Sequence, residues 1–179
     1  MLGRISNFAG PISAFPAPGV VYSAGLYRTT YSGYFADVVS FFATATATAT
    51  TVQTTVIEEP ISEDGNSFSM QWLGYFVPST TETYTFYLNS DDASYMWIGS
   101  NAVSGFSTAN ATVNNGEIHG LVEVSGTAAL TAGVYYPVRF QYGENGGGDA
   151  MFFNYSTATI GKTTDVTGKV FYRPETNGF

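Results

Sequence analysis

Apolar and polar positions alternate with a period of two along much of the chain, which is the pattern of half-buried β-strands. In YTFYLNSDDASYMWIGS, residues 84–100, the alternation runs on both sides of Asp91 and Asp92 and predicts a hairpin with the two aspartates at its tip. A second hairpin is predicted over residues 134–156, where two alternating segments flank the glycine-rich sequence GENGGGD. The chain therefore has two predicted hairpins with polar tips.

The other segments favour strands and turns over helices. FSMQWLGYFVP at 68–78 alternates large apolar residues, and ATATATAT at 43–50 has the period of an ordinary strand. EEPISEDGN at 58–66 and GFSTANATVNNGE at 105–117 predict loops, and no window has the periodicity of an amphipathic helix. The predicted fold is all-β: a two-sheet, mostly antiparallel β-sandwich with an extended N-terminal arm.

The pattern divides the chain into three parts. Residues 1–18 form the proline-containing arm, residues 19–173 the sandwich and residues 174–179 a C-terminal tail. The arm is too apolar for a free tail, so we expect it to pack on a partner. The core is expected to include the large alternating apolar residues, namely Trp72, Phe76, Tyr84, Phe86, Trp97, Val138, Phe140 and Phe153.

Composition narrows the range of functions. The chain has 179 residues and is 44% hydrophobic, which is enough for one sizeable core. The absence of cysteine excludes disulfides and thiolate metal sites, and a single imidazole, His119, disfavours zinc. No segment approaches the roughly 20 apolar residues of a membrane span. The N-terminus lacks the apolar region of a signal peptide, so a chain that starts at Met1 is not expected to be exported by that route.

The net charge of −8 is distributed unevenly. No lysine or arginine occurs between residues 29 and 138, although that span carries many carboxylates. Because nucleic-acid binding depends on basic side chains that neutralise phosphates, this distribution excludes a nucleic-acid partner. It suits hard cations or neutral polar ligands instead.

The tips of the two hairpins are rich in oxygen ligands. Asp91 and Asp92 form one tip, and Glu144, Asn145 and Asp149 belong to the other. Since loops gather at the two ends of a sandwich, these tips are expected at the same end. Calcium takes six to eight oxygens from carboxylates, amides and backbone carbonyls, all of which these loops supply. The pattern leaves two interpretations open, a shared calcium site and two solvated turns.

Three segments resemble one known family. WLGYF, ETYTFYLNSDDASYMWIGS and LTAGVYYPVRFQYGENGGGDAMFFNY are similar to the protective-antigen-type (PA-fourteen) domain, a β-sandwich of yeast flocculins, bacterial adhesins, toxins and some glycosidases. The resemblance implies that Asp91 and Asp92 are joined by a cis peptide and bind calcium, which in turn binds sugar hydroxyls. It also implies a second calcium loop at ENGGGD, with Asn145 and Asp149 as candidate ligands. Fungal members carry disulfides, so the absence of cysteine indicates an origin outside yeast.

The resulting expectation is a calcium-dependent carbohydrate-binding module of the lectin or adhesin type, displayed on a virion or cell surface for attachment to glycans. A virion surface is the expected location, with a secreted or bacterial cell-surface protein as the alternative. The residues expected to contact the sugar are those at the aspartate tip and in the 105–117 loop: Asp91, Asp92, Ser94, Asn110 and Asn114.

Two other functions are less well supported by the sequence. A structural decoration or assembly protein of a virion would use the sandwich as a spacer without sugar binding, and its arm would dock on other structural proteins in a larger assembly. An enzyme is not expected, because nothing around His119 resembles a nucleophile elbow. Glu117 and Glu123 lie in a segment that looks too small and open for the paired carboxylates of a glycosidase.

Overall fold

The computed structural model of the chain describes residues 19–53, 57–62, 66–164 and 170–175. The predicted arm lies outside the described residues, as does the predicted tail beyond Glu175. The strands, in chain order, are β1 (Tyr22–Ala24), β2 (Leu26–Ser32), β3 (Ala47–Gln53), β4 (Glu58–Ser62), β5 (Phe68–Phe76), β6 (Glu82–Asp91), β7 (Ser94–Ile98), β8 (Val113–Asn115), β9 (Val122–Leu130), β10 (Tyr136–Glu144), β11 (Asp149–Ser156) and β12 (Phe171–Pro174).

The strands form two antiparallel sheets, which confirms the predicted sandwich. The large sheet has the order β1-β12-β5-β10-β7-β8, with β2 beside β5 and β3 beside β2. The small sheet has the order β4-β11-β6-β9. The two predicted hairpins are wrong in their pairing, because β6 and β11 belong to the small sheet whereas β7 and β10 belong to the large sheet. Each segment is instead a turn that carries the chain from one sheet to the other.

The main core lies between the sheets and contains many packed aromatic rings. Phe76 and Phe140 on the large sheet are fully buried and meet Phe86 and Phe153 on the small sheet, with ring centroids 5.3 and 5.1 Å apart. All of the residues predicted for the core are buried, but Trp97 lies in a second apolar cluster on the opposite face of the large sheet. The second cluster explains why β7 is buried on both faces rather than alternating.

Helix is scarce in the described residues, as predicted, and consists of α1 (Phe41–Thr44), α2 (Ser100–Val103) and a 3-10 turn at Thr108–Asn110. The predicted strand at 43–50 is wrong in its first half, because α1 extends to Thr44 and β3 begins at Ala47. Phe42 is buried against Tyr31 and Phe35 in the second cluster, and this contact holds the chain in a helical turn. No described helix is long and apolar enough to cross a bilayer.

The loop predicted at 58–66 is also wrong in part, because its first residues form β4. This strand lies at the edge of the small sheet and pairs only with β11 among the described strands. An edge position tolerates Pro60, since a strand there has one side without ladder hydrogen bonds.

The backbone of β9 passes close to the backbone just before β8, and this close approach requires a glycine. A Cβ added to Gly126 in β9 would lie 1.7 Å from the carbonyl oxygen of Thr112, just before β8. Replacing Gly126 with alanine should therefore lower the free energy of unfolding by about 3 kcal/mol, because backbone must move to accommodate the methyl group. Urea denaturation measures the change. Gly161→Ala is the matched control, since nothing lies within 4 Å of that Cβ; equal stability of the two variants would contradict the prediction.

Candidate metal centre

The turn between β6 and β7 and the loop between β10 and β11 lie side by side at one end of the sandwich, as predicted for the two tips. In the small sheet Ala150 is opposite Asp91, and in the large sheet Tyr142 is opposite Ser94. These registers bring the loop between β10 and β11 against the turn between β6 and β7. The peptide bond between Asp91 and Asp92 is cis, as the family resemblance implies.

Three carboxylates converge where the tips meet. One oxygen each from Asp91, Asp92 and Glu144 lie within 4.8 Å of one another. The sequence pattern places Glu144 among the oxygen-bearing residues of the second tip, but the family resemblance implies Asn145 and Asp149 as the ligands there, not Glu144. Residues 138, 140, 142 and 144 share one face of β10, and that face is buried. A carboxylate at a core-facing position requires a hydrogen-bonding or charged partner.

Asp92 is held in place by backbone groups. Its Oδ1 accepts the His119 N–H at 2.8 Å, and its Oδ2 accepts the Asn145 N–H at 3.0 Å. The Ser90 hydroxyl donates to the Asp92 carbonyl oxygen at 2.6 Å. The two carboxylate oxygens accept hydrogen bonds from two different loops. Asp92 therefore links the turn between β6 and β7 to the loop between β10 and β11 and to the segment between β8 and β9.

The local electrostatics disfavour negative charge. Glu144 is 1% exposed, and burial raises its pKa to about 7, with further contributions from Asp92, Asp91 and Asp149. Its Oε1 accepts the Gly146 N–H at 2.6 Å, whereas its buried Oε2 has no hydrogen-bond partner among the described residues. Burial, and then the charge of Asp92, also raise the pKa of Asp91. A bound cation would remove this repulsion, so the donor set fits a metal ion.

The other two predicted ligands differ in their placement. Asp149 is buried at the start of β11, and its charge contributes to the raised pKa values of Asp91 and Glu144. Asn145 is exposed, and the contact that ties it to the centre is its backbone N–H on Asp92.

The residues predicted to contact a sugar lie at different depths. Ser94 is fully buried and its hydroxyl shares a 2.7 Å hydrogen bond with Ser90, so it supports the aspartate turn from inside. Asn110 uses its side chain to hold its own loop, accepting from the Trp97 indole at 3.1 Å and donating to the Gly105 carbonyl at 2.9 Å. Asn114 is exposed, although its side chain also bonds neighbouring backbone.

An open cleft of about 450 Å³ lies beside the segment between β8 and β9. Its polar lining includes Asp37, Tyr95, Asn114 and Glu117. No sequence pattern indicated a role for Asp37, which reaches this cleft from the loop between β2 and α1. Among the residues predicted to contact a sugar, Asn114 lines this cleft.

His119 follows Glu117 of the cleft by two residues and contacts Asp92 of the candidate metal centre. Its ring nitrogens are 2.9 Å from the Gly120 carbonyl oxygen and 3.3 Å from the Asn115 carbonyl oxygen. The imidazole is thus engaged with backbone, and the contact of His119 with the centre is its own N–H on Asp92.

A family model described as the GLEYA domain matches residues 68–157, which is half of the chain. The chain belongs to the GLEYA domain family. The match includes β6 and β7, β10 and β11, and the segment between β8 and β9. Asp37 lies outside the part that defines the GLEYA match. No curated protein sequence matches the chain significantly.

Solved structures confirm the protective-antigen-type fold of this GLEYA domain. The epithelial adhesin 6 A domain from Candida glabrata, in complex with Galβ1-3GlcNAc, has a TM-score of 0.64 at 16% identity and covers 89% of this chain and 94% of its own. The PA14 sugar-binding domain from an RTX adhesin has a TM-score of 0.64 at 15% identity, with coverages of 79% and 94%.

A third similar structure belongs to a longer chain. An anti-sigma factor domain-containing protein from Clostridium clariflavum has a TM-score of 0.66 at 20% identity and covers 88% of this chain. The GLEYA domain described here spans 49% of that protein. Identities this low establish the shared fold.

Proposed function

We propose that this GLEYA domain is a calcium-dependent carbohydrate-binding module of the lectin or adhesin type. The observation that carries the proposal is the convergence of Asp91, Asp92 and the buried Glu144 within 4.8 Å. Three carboxylates this close repel one another when all are charged, and a bound cation would offset that repulsion. Support for the sugar comes from the similar structures, one of which is in complex with Galβ1-3GlcNAc and another of which is a sugar-binding domain.

Calcium suits this centre better than other common metals. All three convergent groups are carboxylates, which are hard oxygen ligands, and the chain has no cysteine. Asp149, whose charge acts on Asp91 and Glu144, and the exposed loop residues 145–147, which adjoin Asp92, would supply further oxygen donors. When bound, calcium supplies a positive charge and coordination positions that the hydroxyls of a hexose can occupy.

The side chains of the centre have distinct roles in this proposal. Asp92, which is buried, is oriented by its two backbone N–H donors, so its carboxylate keeps one position. Asp91 is partly exposed and forms the side of the centre that faces solvent. Glu144 lies on the buried side of the centre, where its burial excludes water. A sugar would approach across Asp91 and the exposed loop at 145–147.

Surface display follows from this function. A glycan-binding module acts on ligands outside the cell, so a virion surface, or alternatively a secreted or cell-surface location, remains our proposal. Assembly through the N-terminal arm stays a prediction, because residues 1–18 lie outside the described part of the chain. We propose no catalytic role for the domain.

A glycan array tests the function directly. The chain should bind neutral hexose-containing glycans in the presence of calcium, and chelation should abolish the binding because the sugar hydroxyls then lose their ligand. Readdition of calcium after chelation should restore the signal, which controls for damage to the protein. Binding that persists in chelator would contradict the calcium dependence, and the absence of any glycan ligand would contradict the lectin function.

A further inference from the structure

Asp37 joins two distant parts of the chain at the edge of the cleft. Its Oδ1 accepts the Tyr95 hydroxyl at 2.7 Å and the Glu117 N–H at 3.2 Å, and its Oδ2 accepts the same N–H at 3.2 Å. Burial, followed by the bond to Asp37, raises the pKa of Tyr95, so its hydroxyl remains a donor at physiological pH. The carboxylate thus ties the segment between β8 and β9 to β7.

The backbone on both sides of this contact has a left-handed conformation. The φ angles are 51° at Ala36, 59° at Asp37 and 75° at Glu117. Residues other than glycine adopt this region at a cost and keep it where surrounding contacts enforce it. A Cβ on Gly116 would lie 1.8 Å from the Tyr95 hydroxyl, so the segment also passes directly over the ring that bonds Asp37. These contacts define the path of the chain into residue 117.

The same segment reaches the metal centre two residues later. Glu117 donates its N–H to Asp37, and His119 donates its N–H to Asp92 at 2.8 Å. Asp37 and Asp92 therefore hold the segment from either side, through N–H groups separated by one residue. Loss of the first contact would free the segment to move away from the second.

We propose that Asp37 is a positioning residue of the metal centre, which fixes residues 117–119 so that the His119 N–H stays on Asp92. This inference rests on the proposed function, because the orientation of Asp92 matters most when the carboxylate binds calcium. Groups that orient metal ligands typically change metal affinity by about 10- to 100-fold when they are removed. Asp37 would act at the low end of this range, since it acts through a second hydrogen bond.

The test compares Asp37→Ala, Asp37→Asn and the parent chain in two measurements. Amide hydrogen exchange of metal-free protein, followed by NMR, should show roughly ten-fold faster exchange at the His119 N–H in Asp37→Ala. The amide of Phe86 in the core should exchange at the parent rate, which excludes general destabilisation. Calorimetry should show roughly ten-fold weaker calcium binding in the same variant.

Asp37→Asn separates positioning from charge. It removes the negative charge of Asp37 but retains an oxygen that can accept from Tyr95 and Glu117, as Oδ1 does. If Asp37 positions the segment, this variant should resemble the parent in both measurements. Tyr95→Phe, which removes one donor to Asp37 and leaves the carboxylate, should fall between the parent and Asp37→Ala.

The outcomes are distinct. Unchanged exchange at His119 in Asp37→Ala would overturn the inference, and so would an Asp37→Asn variant as weak as Asp37→Ala, because charge alone would then explain the loss. A parent chain that binds no calcium would overturn the proposed function instead. The exchange rates alone would then decide whether Asp37 positions the segment.

Discussion

Replacing Asp91 and Asp92 together with asparagine should abolish the calcium-dependent stabilisation and the glycan binding while the sandwich remains folded. Asparagine keeps the size of each side chain and one oxygen ligand but removes the charge that a hard cation requires. In the parent, calcium at 100 times its dissociation constant should stabilise the fold by about 2.7 kcal/mol, which raises Tm by roughly 5–10 °C. The double variant should show no such shift.

Thermal unfolding and calorimetry, each with calcium and with chelator, measure this difference. The double variant should lose some stability without metal, because an asparagine at 92 offers one acceptor to the two N–H groups that Asp92 accepts. Glu82→Gln/Glu123→Gln is the matched control, since it removes two carboxylates elsewhere on the small sheet, one half-buried and one exposed. Equal calcium affinity in the parent and the Asp91/Asp92 variant would contradict the site.

The part of the site that the sequence predicted comes from local pattern. Period-two alternation predicts the strands β6, β10 and β11, and the registers of antiparallel pairing then bring the two turns together, with Ala150 opposite Asp91 and Tyr142 opposite Ser94. The aspartates stand out because two adjacent carboxylates at a turn are unfavourable without a partner. Local sequence therefore contained most of the information about where these carboxylates lie.

The contacts that orient the centre could not be predicted in the same way. Asp37 and Glu117 are 80 residues apart, and their contact depends on how the loop after β2 folds over the far face of the large sheet. That face is covered by the second apolar cluster, in which Phe35 and Phe42 pack near Tyr95. Burial on both faces erases the alternation of β7, so the sequence pattern does not show which of its residues face this loop.

The position of Glu144 could be predicted only in part. Alternation places it on the same face of β10 as the core residues Val138, Phe140 and Tyr142, but the glycine-rich sequence after it predicts a solvated turn. The structure shows that β10 continues to Glu144 before the turn begins. Strand ends are set by tertiary pairing, here with Phe68 at the start of β5, which a local pattern does not contain.

The metal-free chain should lose stability as the pH rises from about 5 to 8, and Glu144 should be the main cause. Burial and its acidic neighbours raise the pKa of Glu144 from 4.5 to about 7. Between these values the folded chain keeps a proton that the unfolded chain has released. The stabilising contribution of the neutral carboxyl is therefore complete below about pH 4.5 and is lost as the pH rises through about 7.

Glu144→Gln isolates this effect, because the amide stays neutral at every pH. In chelator, the Tm of the parent should fall more between pH 5 and pH 8 than the Tm of Glu144→Gln, and the variant should be the more stable of the two at pH 8. Calcium should reverse that order at pH 8, since Glu144 in the parent offers the ion a charged ligand that the variant lacks.

Glu123→Gln is the matched control, because Glu123 is an exposed carboxylate paired with Lys162, and this variant should keep the parent's pH dependence. A Glu144→Gln variant with the same pH dependence as the parent would show that Glu144 ionises freely in the folded chain and would contradict this prediction.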